Sequence, residues 1–421
     1  MNVLLLNQCF YPDVVSTAQH LTDLAVGLAE SGHRVTVIAS DRGYDNSANR
    51  FPRRETWKGI NIIRIPSLAL GKSSRLRRAL NFASFLAICS SRLLFLPRFD
   101  VVVALTSPPL ISLLGALFVR VKGGKFFFWV MDLNPDEAIA AGWLQRDSLP
   151  AKFLSYCLGY SLRHSEKVIV LDRFMKQRLI EKGIAEEKLA VIAPWSHSDA
   201  VTYDSQGRLA FRSQHGLAEK FVVMYSGNHS PCHPLDTLLA AALKLSTRPN
   251  VAFCFVGGGS EQEKVKAYAQ HHRLTNILIL PYQPLDQLGA SLSAADLQVV
   301  VMGDGFMGIV HPCKIYNILE IGAPVLYIGP ANSHVVDLVS QLEDSELACS
   351  VRHGDIETVA EYLADAADKM RGRRSSAAMA MSSHFSKTNL LPQMIGILGS
   401  ISKSALSTNE VVSETAAQSL F

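Results

Sequence analysis

Residues 1–40, MNVLLLNQCFYPDVVSTAQHLTDLAVGLAESGHRVTVIAS, hold one complete structural unit, and its reading decides the fold. Val3–Leu6 and Val35–Ala39 are apolar runs of strand length, and between them Leu21, Leu24, Ala25 and Leu28 recur at helical spacing. Ser31, Gly32 and His33 offer a helix-ending glycine, and the next run follows at once, as a right-handed parallel crossover requires. This is a βαβ unit. Similar runs at Ile60–Ile65, Val101–Ala104, Lys125–Val130 and Lys167–Leu171 predict five or six strands separated by helices, a doubly wound α/β sheet whose ligands bind beyond the carboxyl ends of the strands.

A second series begins after a polar, turn-rich stretch between Pro194 and Gly216. Its strands are expected at Phe221–Ser226, Val251–Val256, Ile277–Leu280, Leu297–Val301 and Pro324–Ile328. The 421 residues therefore divide into two Rossmann-like domains, 1–195 and 216–385, joined by a hinge at 196–215. A helical segment follows at 386–403, and residues 404–421, acidic and aperiodic, read as a mobile tail.

Hydrophobic residues make up 48% of the chain and charged residues 19%, which fits a protein with large cores and excludes extensive disorder. Seven cysteines are scattered without a C-x-x-C pair, as in a reducing compartment rather than in a disulfide framework or a zinc site. Val3–Leu6 is short and has no basic leader, so it is read as a strand and not as a signal peptide.

The net charge of +4 conceals a basic segment: residues 42–98 carry twelve Lys or Arg against Asp45 and Glu55. Within it Arg75, Arg77 and Arg78 precede an apolar run from Ala79 to Leu96. Asn81, Ser84, Ser90, Ser91 and Arg92 interrupt that run, which argues against a membrane span. An amphipathic helix on an anionic membrane is expected, with Phe82, Phe85, Leu86, Leu93 and Phe95 reaching inward; the competing reading is a helix buried against the sheet. Nucleic acid is the weaker partner for these charges, since no recognised module accompanies them.

Three strand exits of the first domain carry polar residues. In the first, Ser16 and Thr17 stand ahead of the helix, where capping is the commoner role and a phosphate or sugar hydroxyl the alternative. The second is TSPP after Ala104. In the third, MDLNPDEAIAAGWL, the cluster Asp132, Asn134, Asp136 and Glu137 is interrupted by a proline, which suits a fixed loop facing substrate.

The second domain has glycine-marked exits, YSGNHSPCHP after its first strand and FVGGGSEQ after its second. Neither is G-x-G-x-x-G, no Walker lysine is present and the first strand of the chain lacks a glycine fingerprint, so dinucleotide oxidoreduction is disfavoured. His229 and His233 have the spacing of metal ligands on a helical turn, but Pro231 and Pro234 oppose a helix there. Gly303–Pro324, GDGFMGIVHPCKIYNILEIGAP, joins a glycine-rich loop to a helix. Pro312 suits the first helical turn, and Lys314 and Asn317 fall on one face. The lysine charge and loop amides near Gly308 suit a diphosphate, and Asn317 a sugar hydroxyl.

Together these motifs resemble the GT-B-fold retaining glycosyltransferases of family 4, over nearly the whole chain. FYPD…TAQHLTDLAVGLAESGHRVTVIAS is similar to their N-terminal loop and helix, MDLNPDEAIAAGWL to their acceptor-side loop, YSGNH and FVGGG to their donor-domain exits, and HPCKIYNILEIGAPVL to the donor-phosphate helix of a subgroup with P-S-K-x-Y-N. LPYQPLDQLGASLSAADLQVVV resembles the region that receives the nucleotide base. The resemblance implies two Rossmann-like domains facing a cleft and a nucleotide-diphosphate sugar, most often UDP-linked, as co-substrate without further cofactor or metal. It also implies a lipid-linked saccharide acceptor, and a cytoplasmic enzyme lying on the inner face of the membrane. Donor contacts fall on Gly227, Asn228, His233, Gly257, Gly258, Pro281, Tyr282, Gly308, Ile309 and Asn317, and acceptor contacts on Ser16, Thr17, Asn134 and Asp136. Lys314 and Asp132 are the implied catalytic pair.

The chain departs from the family at several points. Asn228 and His233 fill positions where many members have Arg and Lys, Ile309 and Asn317 stand where a spaced Glu pair is usual, and Met131 replaces a frequent His. Phosphate charge then falls mainly on Lys314. A nucleotide-sugar epimerase and a catalytically silent sugar-nucleotide-binding partner are the alternatives.

Overall fold

The computed structural model describes residues 1–44, 48–68, 70–71, 75–196 and 201–399. The first half is built on strands β1 (Asn2–Leu6), β2 (Arg34–Ser40), β3 (Arg54–Trp57), β4 (Ile60–Ile65), β5 (Val101–Ala104), β6 (Lys125–Trp129), β7 (Lys167–Val170) and β8 (Leu189–Val191). Their order is β3-β4-β2-β1-β5-β6-β7-β8, parallel except for the antiparallel β3–β4 pair at one edge. The second half uses β9 (Phe221–Asn228), β10 (Val251–Gly258), β11 (Ile277–Leu280), β12 (Leu297–Val301), β13 (Val325–Ile328) and β14 (Ala348–Val351), in the all-parallel order β11-β10-β9-β12-β13-β14. Two doubly wound sheets are present, as the alternation of apolar runs predicts.

Helices cover both faces of each sheet, so the central strands are apolar throughout: Val3–Leu6 and Val299–Val301 are fully buried. Strand order reverses between β1 and β5 and again between β9 and β12. Ligand crevices belong at such reversals. The segments that follow β6 and β7 meet the one that follows β12 across the contact between the halves: Leu133 N–H donates to Ile309 O at 2.9 Å, and Arg178 to Met307 O at 3.1 Å.

Several expectations need correction. Strands β3, β8 and β14 escaped the pattern because each has only three or four residues and little apolar alternation. The stretch read as a hinge holds a helix, Ser205–Gln214, capped by Asp204 and fixed to the second half through buried Arg208 and Arg212. The helical segment expected at 386–403 is helical over the described residues 387–399, and it returns to the first half, where Leu391 and Ile395 lie against Gly27 of the helix Ser16–Glu30. The expected tail, 404–421, lies outside the described residues.

The basic helix spans Arg75–Leu94. Phe85 and Leu93 are buried in the core and do not face outward, because Ile88, Leu76, Leu80 and Leu94 form a separate exposed face and Phe95, just beyond, is 80% exposed. Among the described residues no helix is long and apolar enough to cross a membrane.

Candidate active site

The Lys314 side chain is the centre of the site. It opens the helix Lys314–Glu320, with Cys313 as N-cap and Pro312 one residue earlier, outside the helix where the sequence placed it inside. Its Nζ is screened from solvent without a hydrogen-bond partner and lies 3.5 Å from the centroid of the buried Tyr225 ring at the end of β9. Gly227 makes room for it. At φ +138° this residue is in a region that L side chains avoid, and a Cβ there would come within 3.2 Å of Nζ.

A lone ammonium held this way is costly unless it loses its proton or meets an anion. Burial pulls the Lys314 pKa down to about 7. Beside it, burial and the lysine charge lower His229 to about 4 and His233 to about 3. Neither imidazole then supplies positive charge. His233 Nδ1 must donate to Val301 O at 2.7 Å, leaving Nε2 as an acceptor when the ring is neutral. Nζ thus rests on the Tyr225 face with no hydrogen bond to protein, which suits a diphosphate.

The neighbouring exit of β10 forms one wall. A Cβ on Gly257 would overlap Gly227 O at 2.1 Å, so the two glycine-bearing strand ends approach as only glycines can. Tyr282 covers Gly257 and Gly258, and its hydroxyl donates to Gly258 O at 3.1 Å. Pro281 and half of the Tyr282 surface remain exposed there. Asn228 is exposed at the mouth, its carbonyl accepting from the Tyr225 hydroxyl. Asn317 sits half-buried one turn beyond Lys314.

Gly308 and Ile309 face the other half. Gly308, at φ +67°, has no room for a Cβ beside Phe174 O, and Ile309 is buried with its carbonyl bonded to Leu133. They fasten this loop to the first half.

On the first half, Asp132 lies half-buried at the end of a cavity of about 110 Å³ lined by Leu105, Phe128, Leu154 and Leu158. Burial, with the charge of Glu137 added, raises its pKa to about 8. Glu137 is also raised by burial, against hydrogen bonds from Asn134 Nδ2 at 3.1 Å and from the Cys232 thiol of the opposite half at 3.7 Å. Burial thus favours the protonated form of each carboxyl, and the charge of Glu137 adds to this at Asp132. Asp136 does not join them. It pairs with Lys182 at 2.8 Å and Arg178 at 3.5 Å, so it anchors the loop instead of facing an acceptor.

Ser16 and Thr17 do not cap the helix that follows. Val15 occupies the N-cap without a side-chain bond, and Ser16, the first helical residue, is exposed with its Oγ 3.4 Å from His20 Nδ1.

A further cluster joins the halves. Asp172, leaving β7, meets His311 Nδ1 at 2.7 Å; His311 Nε2 meets the Tyr316 hydroxyl at 2.7 Å; and the His334 ring stacks on His311 at 3.6 Å and 17°. Asp172, His311 and His334 bring possible metal-ligand atoms within 4.8 Å of one another. Near-parallel stacked rings cannot both aim their in-plane lone pairs at one ion between them, so the arrangement fits a hydrogen-bonded cluster better than a metal centre. Sequence reasoning missed this cluster, along with Tyr225 and His229 as pocket walls. A polar residue directly after the strand Lys167–Leu171 was the available signal for Asp172; for Tyr225, buried within an apolar strand, there was none.

Comparison with known proteins places this geometry. A family described as Glycosyl transferase 4-like domain matches residues 17–195, and one described as Glycosyl transferases group 1 matches residues 208–334. WcaI of Escherichia coli (strain K12), named as a colanic acid biosynthesis glycosyl transferase, is 26% identical over 353 residues, covering 80% of this chain and 86% of its own. Among solved structures, sucrose-phosphate synthase of Thermosynechococcus elongatus superposes with a TM-score of 0.74 at 14% identity, covering 97% of this chain and all of that one. Anabaena Alr3699/HepE, in complex with UDP and glucose, gives 0.72 at 16% identity, covering 95% of this chain and 100% of that one.

Proposed function

Because this chain belongs to the family 4 glycosyltransferases of GT-B fold, we propose that it carries a sugar from a UDP-linked donor to a lipid-linked saccharide in the assembly of a cell-surface polysaccharide. The observation that carries this reading is the unpartnered Lys314 ammonium between Tyr225 and Gly227, where an anion would restore the charge that burial disfavours. UDP is the nucleotide held by the HepE neighbour, and colanic acid assembly is named for the WcaI relative.

In this reading the transfer is retaining, and needs neither a protein nucleophile nor a metal. The departing diphosphate takes the acceptor proton, while Lys314 and loop amides near Gly308 hold the charge that grows on it. Asp132, at the end of an apolar cavity, positions the acceptor at the reacting face. The Asp132→Asn variant is expected to change acceptor kinetics; if they do not change, Asp132 loses this role. Peripheral attachment to the inner leaflet would use the exposed Leu76, Leu80 and Phe95 beside Arg77, and flotation with anionic vesicles at low and high salt tests it.

The reading as a whole is tested by incubating the purified protein with a panel of nucleotide sugars, with and without a membrane-lipid extract, and following nucleoside diphosphate release and sugar identity. Acceptor-dependent release is expected. Isomerised sugar without acceptor would make the protein an epimerase, and binding without release a silent partner.

A further inference from the structure

We infer that Asp172, a residue of the first half, is a positioning residue for the donor site of the second, acting on the Lys314 helix through His311 and Tyr316. This rests on the reading of Lys314 as a diphosphate ligand.

Asp172 uses its two oxygens for different partners. Oδ1 accepts from Met175 N–H at 2.7 Å and caps the helix Arg173–Glu181, while Oδ2 meets His311 Nδ1. Burial works against this carboxylate, but the contacts from His311, His334 and Met175 N–H outweigh it and bring its pKa to about 2. It therefore only accepts. His311 Nδ1 must then carry a hydrogen for this bond. The chain of bonds continues from His311 Nε2 to the Tyr316 hydroxyl at 2.7 Å.

That chain ends on the helix bearing Lys314. Tyr316 comes two residues after Lys314, roughly 200° round the helix, so it grips the back while Lys314 faces the pocket. Its ring also packs against Phe385 at 4.8 Å. His311 holds the same segment three residues ahead of the lysine, and the His334 ring closes the exposed face of the imidazole. With the bonds from Leu133 to Ile309 and Arg178 to Met307, residues 307–316 take their shape from the first half. Nζ touches the Tyr225 face but has no hydrogen bond to fix its direction. Its place is set by the helix, and the helix by this chain.

The experiment uses the full chain and measures binding of UDP, GDP and ADP by calorimetry, together with donor KM and kcat, for wild type, Asp172→Asn, Tyr316→Phe and the double variant. Asparagine preserves the cap and removes the charge. Wild type is expected to bind one of the diphosphates, and Asp172→Asn to bind it about tenfold more weakly. Its kcat/KM should fall by up to about 10², the scale of a small misplacement. Tyr316→Phe should weaken binding less, and the double variant should be no worse than Asp172→Asn, because both cut one chain. Unchanged binding in Asp172→Asn, or strictly additive losses, would overturn the inference. If Asp172→Asn does not fold, full diphosphate affinity in Tyr316→Phe overturns it alone. Absence of diphosphate binding in wild type overturns the reading of Lys314 itself, a result distinct from any change among the variants.

Discussion

The second half buries basic groups in two places, and they are handled in opposite ways. Around Asp296, Arg208 and Arg212 are saturated: they reach the carboxylate and the carbonyls of Ser293, Ala294 and Ala295, and Asp296 also accepts from Val222 and Gly372 N–H. The carbonyls end a short helix, Leu288–Ser293, whose negative pole suits the guanidinium groups. Around Lys314 there is no carboxylate partner, two neutral imidazoles and an aromatic face. The first arrangement ties its charges into the frame, and the second leaves a buried amine without a hydrogen bond.

Substitutions can break that contrast. Lys314→Met should lower turnover about 10² to 10³-fold, the usual loss for a group facing transition-state charge, and leave the melting temperature unchanged or raised, since an unpaired buried amine gives way to an apolar chain. Turnover within about threefold of wild type would remove Lys314 from the mechanism. Arg212→Met should do the reverse. It strips one of two guanidinium groups from Asp296 and should cost about 3 kcal/mol in denaturant unfolding, with diphosphate affinity per folded molecule unchanged. Gly227→Ala combines the two effects: about 1–3 kcal/mol of backbone strain at φ +138°, together with weakened anion binding, since its Cβ would stand 3.2 Å from Nζ.

The smallest effect is the most direct reading of the ammonium. With a folded pKa of about 7 against 10.5 for the free side chain, the unfolded chain holds the extra proton between these values. The contribution of Lys314 to stability is therefore full above pH 10.5 and is lost as the pH falls toward 7. An anion raises that pKa again, so binding of a nucleoside diphosphate at pH 8 should take up protons, and the uptake should fade below pH 6. Calorimetry in buffers of different ionisation enthalpy measures it. Asp132, at about 8, would respond in the same direction, so the part belonging to the lysine is what Lys314→Met removes.

The fold was legible because parallel strands buried on both faces leave short apolar runs bounded by turns and separated by helical patterns. Asn2–Leu6, Arg34–Ser40 and Leu297–Val301 all carry that mark. Arg54–Trp57, at an edge and half exposed, does not. The glycines at 227 and 257 were expected at close approaches, and the structure puts both at positive φ with no room for a Cβ, Lys314 lying against the first. Asp136 misled, since an acid in a cleft loop looks the same in sequence whether it faces substrate or, as here, Lys182 and Arg178. Phe85 misled similarly: a helix with two apolar faces does not announce which one the protein keeps. A polar residue directly after a strand marked Asp172, but its pairing with His311 was out of reach, because 139 residues separate the two and only the docking of the halves makes them neighbours.

The helix of residues 387–399 has a mechanical consequence. The chain passes from the first half to the second after β8 and comes back near Phe385, where Ser196 N–H donates to its carbonyl at 2.8 Å. The outward and returning crossings of the chain are thereby fastened to each other at Ser196 and Phe385, so a load on either crossing is shared by both.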